Sequence, residues 1–174
     1  MIKKSLEEYR TKLFEKKLED FIKNNPDFIN SCNVAIASHV MYYVMDSYEE
    51  TYDWINSFLN LITPGGVGFI IHQSKTGDMY DFFDLYADDS KKALPEDFLA
   101  EYIEKEKEFT VTISCENFHD FLEIGYFLLI DPKEHFAGNH TEISDFLKNN
   151  YYDEKNDCYF MEQTQKLYQI RLTN

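Results

Sequence analysis

The sequence predicts an α/β fold built on a partly parallel sheet, and three patterns carry that expectation. Val34 to Ala37 and Val67 to Ile71 are short, continuously apolar runs, as in strands buried on both faces of a sheet. Between them an amphipathic segment places Trp54, Ile55, Phe58, Leu59 and Ile62 on one side. Strand, helix and strand of this length make a right-handed crossover joining parallel neighbours. Two later runs alternate instead. Phe109, Val111, Ile113 and Cys115 are spaced by Thr110, Thr112 and Ser114, and Tyr168, Ile170 and Leu172 by Gln169 and Arg171. Period two with one apolar face predicts an antiparallel pair at the edge of the sheet.

The elements follow in order. Ser5 with Glu8 forms a capping box, and Leu6, Tyr9, Leu13, Phe21 and Ile22 recur at helical spacing until Asn24-Asn25-Pro26. After the first apolar strand, Ser47 with Glu50 caps the central helix, which Pro64-Gly65-Gly66 breaks. Tyr80, Phe82, Phe83 and Tyr86 then lie among acids. Leu94-Pro95-Glu96-Asp97 opens a helix expected to reach about Lys107, with proline in its first turn and acids at the positive end of the dipole. From Glu116 to Gln163 the periodicity weakens. Tyr126 to Ile130 reads as a short strand or a buried helical turn, Asp131-Pro132 as a turn, and Glu142 to Asn149 as a short helix. A chain of 174 residues suits one domain, 1–174, in which 116–163 is expected to form a cap.

Net charge is −15, which argues against nucleic acid or an anionic membrane as partner and mildly favours cationic ligands. The plainer role of the acid is a solubilising coat. Cys32, Cys115 and Cys158 stand far apart, as expected for a reducing cytoplasm rather than a disulfide scaffold. No signal peptide or membrane span is expected. His119, His135, His140 and Cys115 lack the spacing of a metal site, so no metal is expected.

Ligands of open α/β sheets bind beyond the carboxyl ends of the strands, here Ser38-His39 with Tyr42 and Tyr43, and His72-Gln73-Ser74. The run His39-Val40-Met41-Tyr42-Tyr43-Val44, Asp46 and the Pro64-Gly65-Gly66 turn before a strand resemble class I S-adenosylmethionine-dependent methyltransferases. Glu8 to Lys17, Leu94 to Tyr102, Asp145-Phe146-Leu147 and Gln163-Thr164 extend the likeness, most closely to the C-terminal half of the histamine N-methyltransferase family. The resemblance implies a partial Rossmann-like methyltransferase sheet and, in complete form, N-methyl transfer to a small histamine-like or other arylalkyl amine.

Roles carried over by the resemblance fall on named positions. Ser38 would stand near the cofactor's sulfonium or adenosyl portion. His39 occupies the place of a family glutamine that holds the substrate; a histidine accepts a hydrogen bond when neutral and repels an ammonium once protonated. Tyr43 and Tyr102 match pocket aromatics, Phe146 an aromatic packed on the substrate ring, and Gln163 a family asparagine. Phe82 and Phe83 fall near pocket tryptophans. For each aromatic, ordinary core packing is the alternative. The family's glycine-rich loop has no counterpart, since no glycine precedes the first apolar strand. The expectation is therefore a chain lacking the N-terminal half of its fold, binding S-adenosylmethionine weakly or not at all alone. Its expected partner is a second copy or that missing half. The rival reading is a non-catalytic binding or regulatory module with the same scaffold.

Overall fold

The structure is a computed structural model that describes residues 17–40, 48–87, 96–129 and 139–172. Helix α1 (Leu18–Asn24) ends where the side-chain amide of Asn25 donates to the carbonyl of Phe21, 2.8 Å away, and Pro26 starts a 3-10 turn. Strand β1 (Cys32–Ser38), helix α2 (Tyr48–Leu61) and strand β2 (Ile62–Gln73) form the expected crossover, with β1 parallel to β2. The capping box at Ser5, the Ser47 cap and Asp131-Pro132 lie outside the described residues.

Helices α3 (Asp78–Tyr86) and α4 (Glu96–Leu99) precede strand β3 (Ile103–Cys115). Helices α5 (Phe118–Leu129) and α6 (His140–Asn150), the short strand β4 (Tyr152–Asp153) and the long strand β5 (Cys158–Arg171) complete the chain. The sheet order is β1-β2-β5-β3, with β4 against β5. β5 runs antiparallel to β2 and to β3, so a parallel pair and an antiparallel pair share one sheet, as the sequence predicts.

Two cores lie on opposite faces of β5. Tyr168 and Ile170 join Ile70, Ala35 and Ala37 beneath Trp54, Ile55, Phe58 and Leu59 of α2. Met161, seven positions before Tyr168 and so on the other face, joins Phe82, Phe83, Phe121, Tyr126, Leu147 and Tyr151 from α3, α5 and α6.

The structure corrects several expectations. β1 is not buried on both faces: Ala35 and Ala37 are covered, whereas Val34 is 54% and Ile36 67% exposed. Among the described residues β1 stands at the sheet's edge, and α2 packs against it from one side. Pro64-Gly65-Gly66 is not a separate turn but an irregularity inside β2, across which β1 advances from Cys32 to Val34 while β2 advances from Ile62 to Val67. The helix expected to reach Lys107 stops at Leu99, and Glu104 to Glu108 are strand. Pairing with β5 outweighs helical propensity there, because alternate charges on an edge strand can point to water from either face. Tyr126 to Leu129 take the helical of the two readings, inside α5, whereas β5 begins ten residues earlier than Tyr168.

Candidate functional site

The carboxyl ends of β1 and β2 lie side by side, because Ser38 pairs with Ile71 and the His39 amide donates to the Ile71 carbonyl at 3.0 Å. There His39 takes a left-handed backbone, φ 52°. Its Nε2–H donates to Oε1 of Gln165, 3.2 Å away, and the Gln165 amide donates to Oε1 of Gln163 at 2.8 Å. Both glutamines are buried. Alternation puts Met161, Gln163, Gln165 and Leu167 on one face of β5, so this polar row begins where the aromatic core ends.

The other face of the same edge is more highly charged. His72 is buried and donates from Nδ1 to the Gln73 carbonyl, 3.0 Å away. Burial first, then the neighbouring His39, pull its pKa down to about 4, against the pull of the Gln73 hydrogen bond, so the ring is neutral at pH 7. Lys166, paired with His72 in the sheet, lies 3.7 Å from Glu96 and 3.9 Å from Glu108. Ser74 donates to Glu108 at 2.9 Å, and the Tyr168 hydroxyl donates to Glu96. Burial, with Glu96 as acceptor, raises the Tyr168 pKa strongly and keeps it a donor.

The residues singled out in the sequence separate into groups. His39 and Gln163 are brought together, through Gln165. Ser38 is exposed and stands at the rim of a groove of about 500 Å³ lined by Ala35, Ala37, Trp54, Phe58 and Leu61. Phe82 and Phe83 are buried in the aromatic core, where Phe82 stacks on Phe146 at 6.1 Å and Tyr86 meets Phe146 edge-on at 5.6 Å. Tyr102 is partly buried against the core beneath α2, its hydroxyl bonded to Glu101. Tyr43 lies outside the described residues. Sequence reasoning missed Gln165, although Gln163 and Gln165 at a spacing of two in a strand share a face. It placed His72 and Gln73 at the right edge without a role.

S-adenosylmethionine, which the resemblance implies, needs backbone free of side chains at the carboxyl edge. The described residues do not fit it. A Cβ at Gly66, Gly68, Gly77 or Gly125 would meet this chain's own atoms within 3.1 Å, so those glycines serve internal packing. Gly65 opens to space but lies at the amino end of β2, away from His39. Among the described residues there is also no cluster of three or more His, Cys, Asp or Glu placed to hold a metal ion. No described helix is long and apolar enough to cross a membrane.

No family model and no curated protein matches the sequence. Solved structures do. One is a protein described as a methyltransferase from Bacillus halodurans C-125, 14% identical, aligned over 94% of this chain and 78% of that one, with a TM-score of 0.57. Another is described as a type II methyltransferase from Anaeromyxobacter dehalogenans, 13% identical over 88% of this chain and 68% of that one, with a TM-score of 0.53. At such identities the likeness is one of fold: the chain has the mixed α/β fold seen in these two structures.

Proposed function

We propose that the chain forms the substrate-holding side of an S-adenosylmethionine-dependent methyltransferase acting on a nitrogen of a small, histamine-like or other arylalkyl amine in the cytoplasm. The observation that carries the reading is the His39–Gln165–Gln163 row beyond the carboxyl ends of the parallel pair, where sheets of this architecture bind ligands. Methyl transfer from an activated sulfonium asks the protein chiefly to align a neutral nucleophile and exclude water. The row suits alignment. Gln165, itself held by Gln163, fixes the imidazole of His39 on one side, and His72, kept neutral, adds no positive charge to repel an amine. On this reading Ser38, which lines the groove beside the row, would stand near the cofactor's sulfonium or adenosyl portion. The described residues do not cradle the cofactor.

A binding module without catalysis is the second reading, favoured by the packing role of the described glycines. Calorimetry tests the assignment of the row. On the substrate-holding reading the chain binds histamine or a related arylalkyl amine, and Gln165→Ala weakens that binding at least tenfold without altering the circular dichroism spectrum. Amine binding that survives both Gln165→Ala and His39→Ala would falsify the assignment of the row. Tight binding of S-adenosylmethionine by the chain alone would overturn the statement that its cradle is incomplete.

A further inference from the structure

Between β1 and β3 the sheet is covered on one face and open on the other. On the covered face Ala35, Ile70, Tyr168 and Ile170 are buried beneath α2. Pairing and alternation set three transverse rows on the opposite face. Val34 leads through Val67 to Arg171. Ile36 leads through Phe69 and Gln169 to Lys105, and Ser38 through Ile71 and Leu167 to Lys107. Each row thus begins on β1, crosses an apolar side chain of β2 and ends in a cation. Val34 and Ile36 are exposed. Phe69, Ile71 and Leu167 stand on the inner strands β2 and β5, yet they are only half-buried and belong to neither core. On these strands the acid of this face is Glu104, at the bulge of β3, which accepts from Gln169 and, at 3.1 Å, from Arg171. Glu106 and Glu108 alternate to the other face. Lys17 and Glu19 line the groove on the β1 side, across the sheet from the cations.

We propose that this open face seats an amphipathic helix of a partner protein, its apolar stripe on β1 and β2 and an acidic flank against Lys105, Lys107 and Arg171. A sheet covered by helices on one face alone leaves an apolar floor that a further layer buries. Size fits one helix. The three rows span about 13 Å along the strands and the four strands about 14 Å across. A helix with its side chains is about 10–12 Å wide. Charge selects the flank. A net charge of −15 draws a basic partner to the chain as a whole, whereas the cationic rim of this face matches an acidic one. The next row along, Gln73, Gln165 and Phe109, carries the glutamine that holds His39, so the docked helix adjoins the candidate site. The proposal stands apart from the catalytic reading, since helix binding is measured with no amine present.

Calorimetry on the full chain with two synthetic helical peptides of about five turns tests it. Both carry the same leucine stripe at i, i+3, i+4 and i+7, and one flank is glutamate in the first and lysine in the second. The glutamate peptide is expected to bind at least tenfold more tightly, the reverse of what a net charge of −15 alone dictates. Lys105→Glu with Lys107→Glu should invert that preference, and Ile36→Ser should weaken the glutamate peptide. All three side chains are exposed, so the circular dichroism spectrum should stay native. A lysine peptide that binds the wild type as tightly as the glutamate peptide overturns the proposal. So does a preference that survives the double substitution, or binding of neither peptide at millimolar concentration. Sedimentation that shows a self-associated chain, released to monomer by Ile36→Ser and not by the glutamate peptide, also overturns it, since the occupant is then a second copy.

Discussion

The core beneath α2 and the core among α3, α5 and α6 lie on opposite faces of β5, and they draw on different kinds of sequence. The first is built from β-branched and small strand residues under a regular amphipathic helix, with Ile62, Ile70 and Ile170 fully buried. The second is built from rings: Phe82, Phe121, Phe146, Tyr151 and Tyr159 touch in a chain of centroid distances from 5.7 to 6.3 Å. Most of the first comes from β1, α2 and β2, adjacent in sequence, with Leu99, Tyr168 and Ile170 added from later in the chain. The second gathers helices separated by the whole of β3. Local pattern therefore suffices to recognise the first, while the second exists only once β3 has crossed the sheet.

The largest test of this comparison is Phe82→Ala. The ring is wholly buried, so its loss is expected to cost about 3–5 kcal/mol, read as a shift of the urea midpoint. Ile70→Ala in the other core should cost about 2–5 kcal/mol. If the two cores are one cooperative unit through β5, tryptophan fluorescence, which reports Trp54 in the first core, will follow the Phe82→Ala transition. A variant that loses aromatic near-ultraviolet dichroism while Trp54 emission stays native breaks the unit into two.

The next effect distinguishes the α2 face by pH. His72 lies on that face, and burial holds its folded pKa near 4 against about 6.5 when unfolded. Between these values the unfolded chain binds a proton that the native chain refuses, so stability rises with pH across the window and is lost on acidification from about 6.5 to 4. The full swing is on the order of 3 kcal/mol. His72→Asn should flatten that part of the curve in urea titrations, and an unchanged slope would show that the ring is not held neutral.

The smallest effect probes close packing in the aromatic core. A Cβ on Gly125 would lie 2.7 Å from Cδ1 of Leu147 and 3.6 Å from the Phe82 ring. Gly125→Ala is expected to cost about 1–3 kcal/mol in thermal or urea unfolding, provided α5 and α6 cannot separate to admit a methyl group. A neutral or stabilising result would mean that this interface is looser than the one beneath α2.

Legibility differed in the same way at the site. Ser38-His39 and His72-Gln73-Ser74 were readable as strand ends because strand length and alternation are local. The link from His39 to Gln165 was not readable, since it joins residues 126 positions apart through β2. Phe82, Phe83, Tyr102 and Phe146 were readable as pocket or core aromatics, but not that the three phenylalanines share one core and Tyr102 packs on the other. A ring's type says that it will be buried, and only chain topology says with whom.

By itself the sequence determined the β1–α2–β2 crossover, the antiparallel pair and a strongly acidic surface. Each follows from periodicity or composition within a few turns of chain. Tertiary structure alone decided that Glu104 to Glu108 extend as strand, because long-range pairing with β5 outweighs local helical preference there. It also decided that Val34 and Ile36 face outward from an uncharged edge, since exposure depends on which elements arrive to cover a strand and not on the strand's own residues.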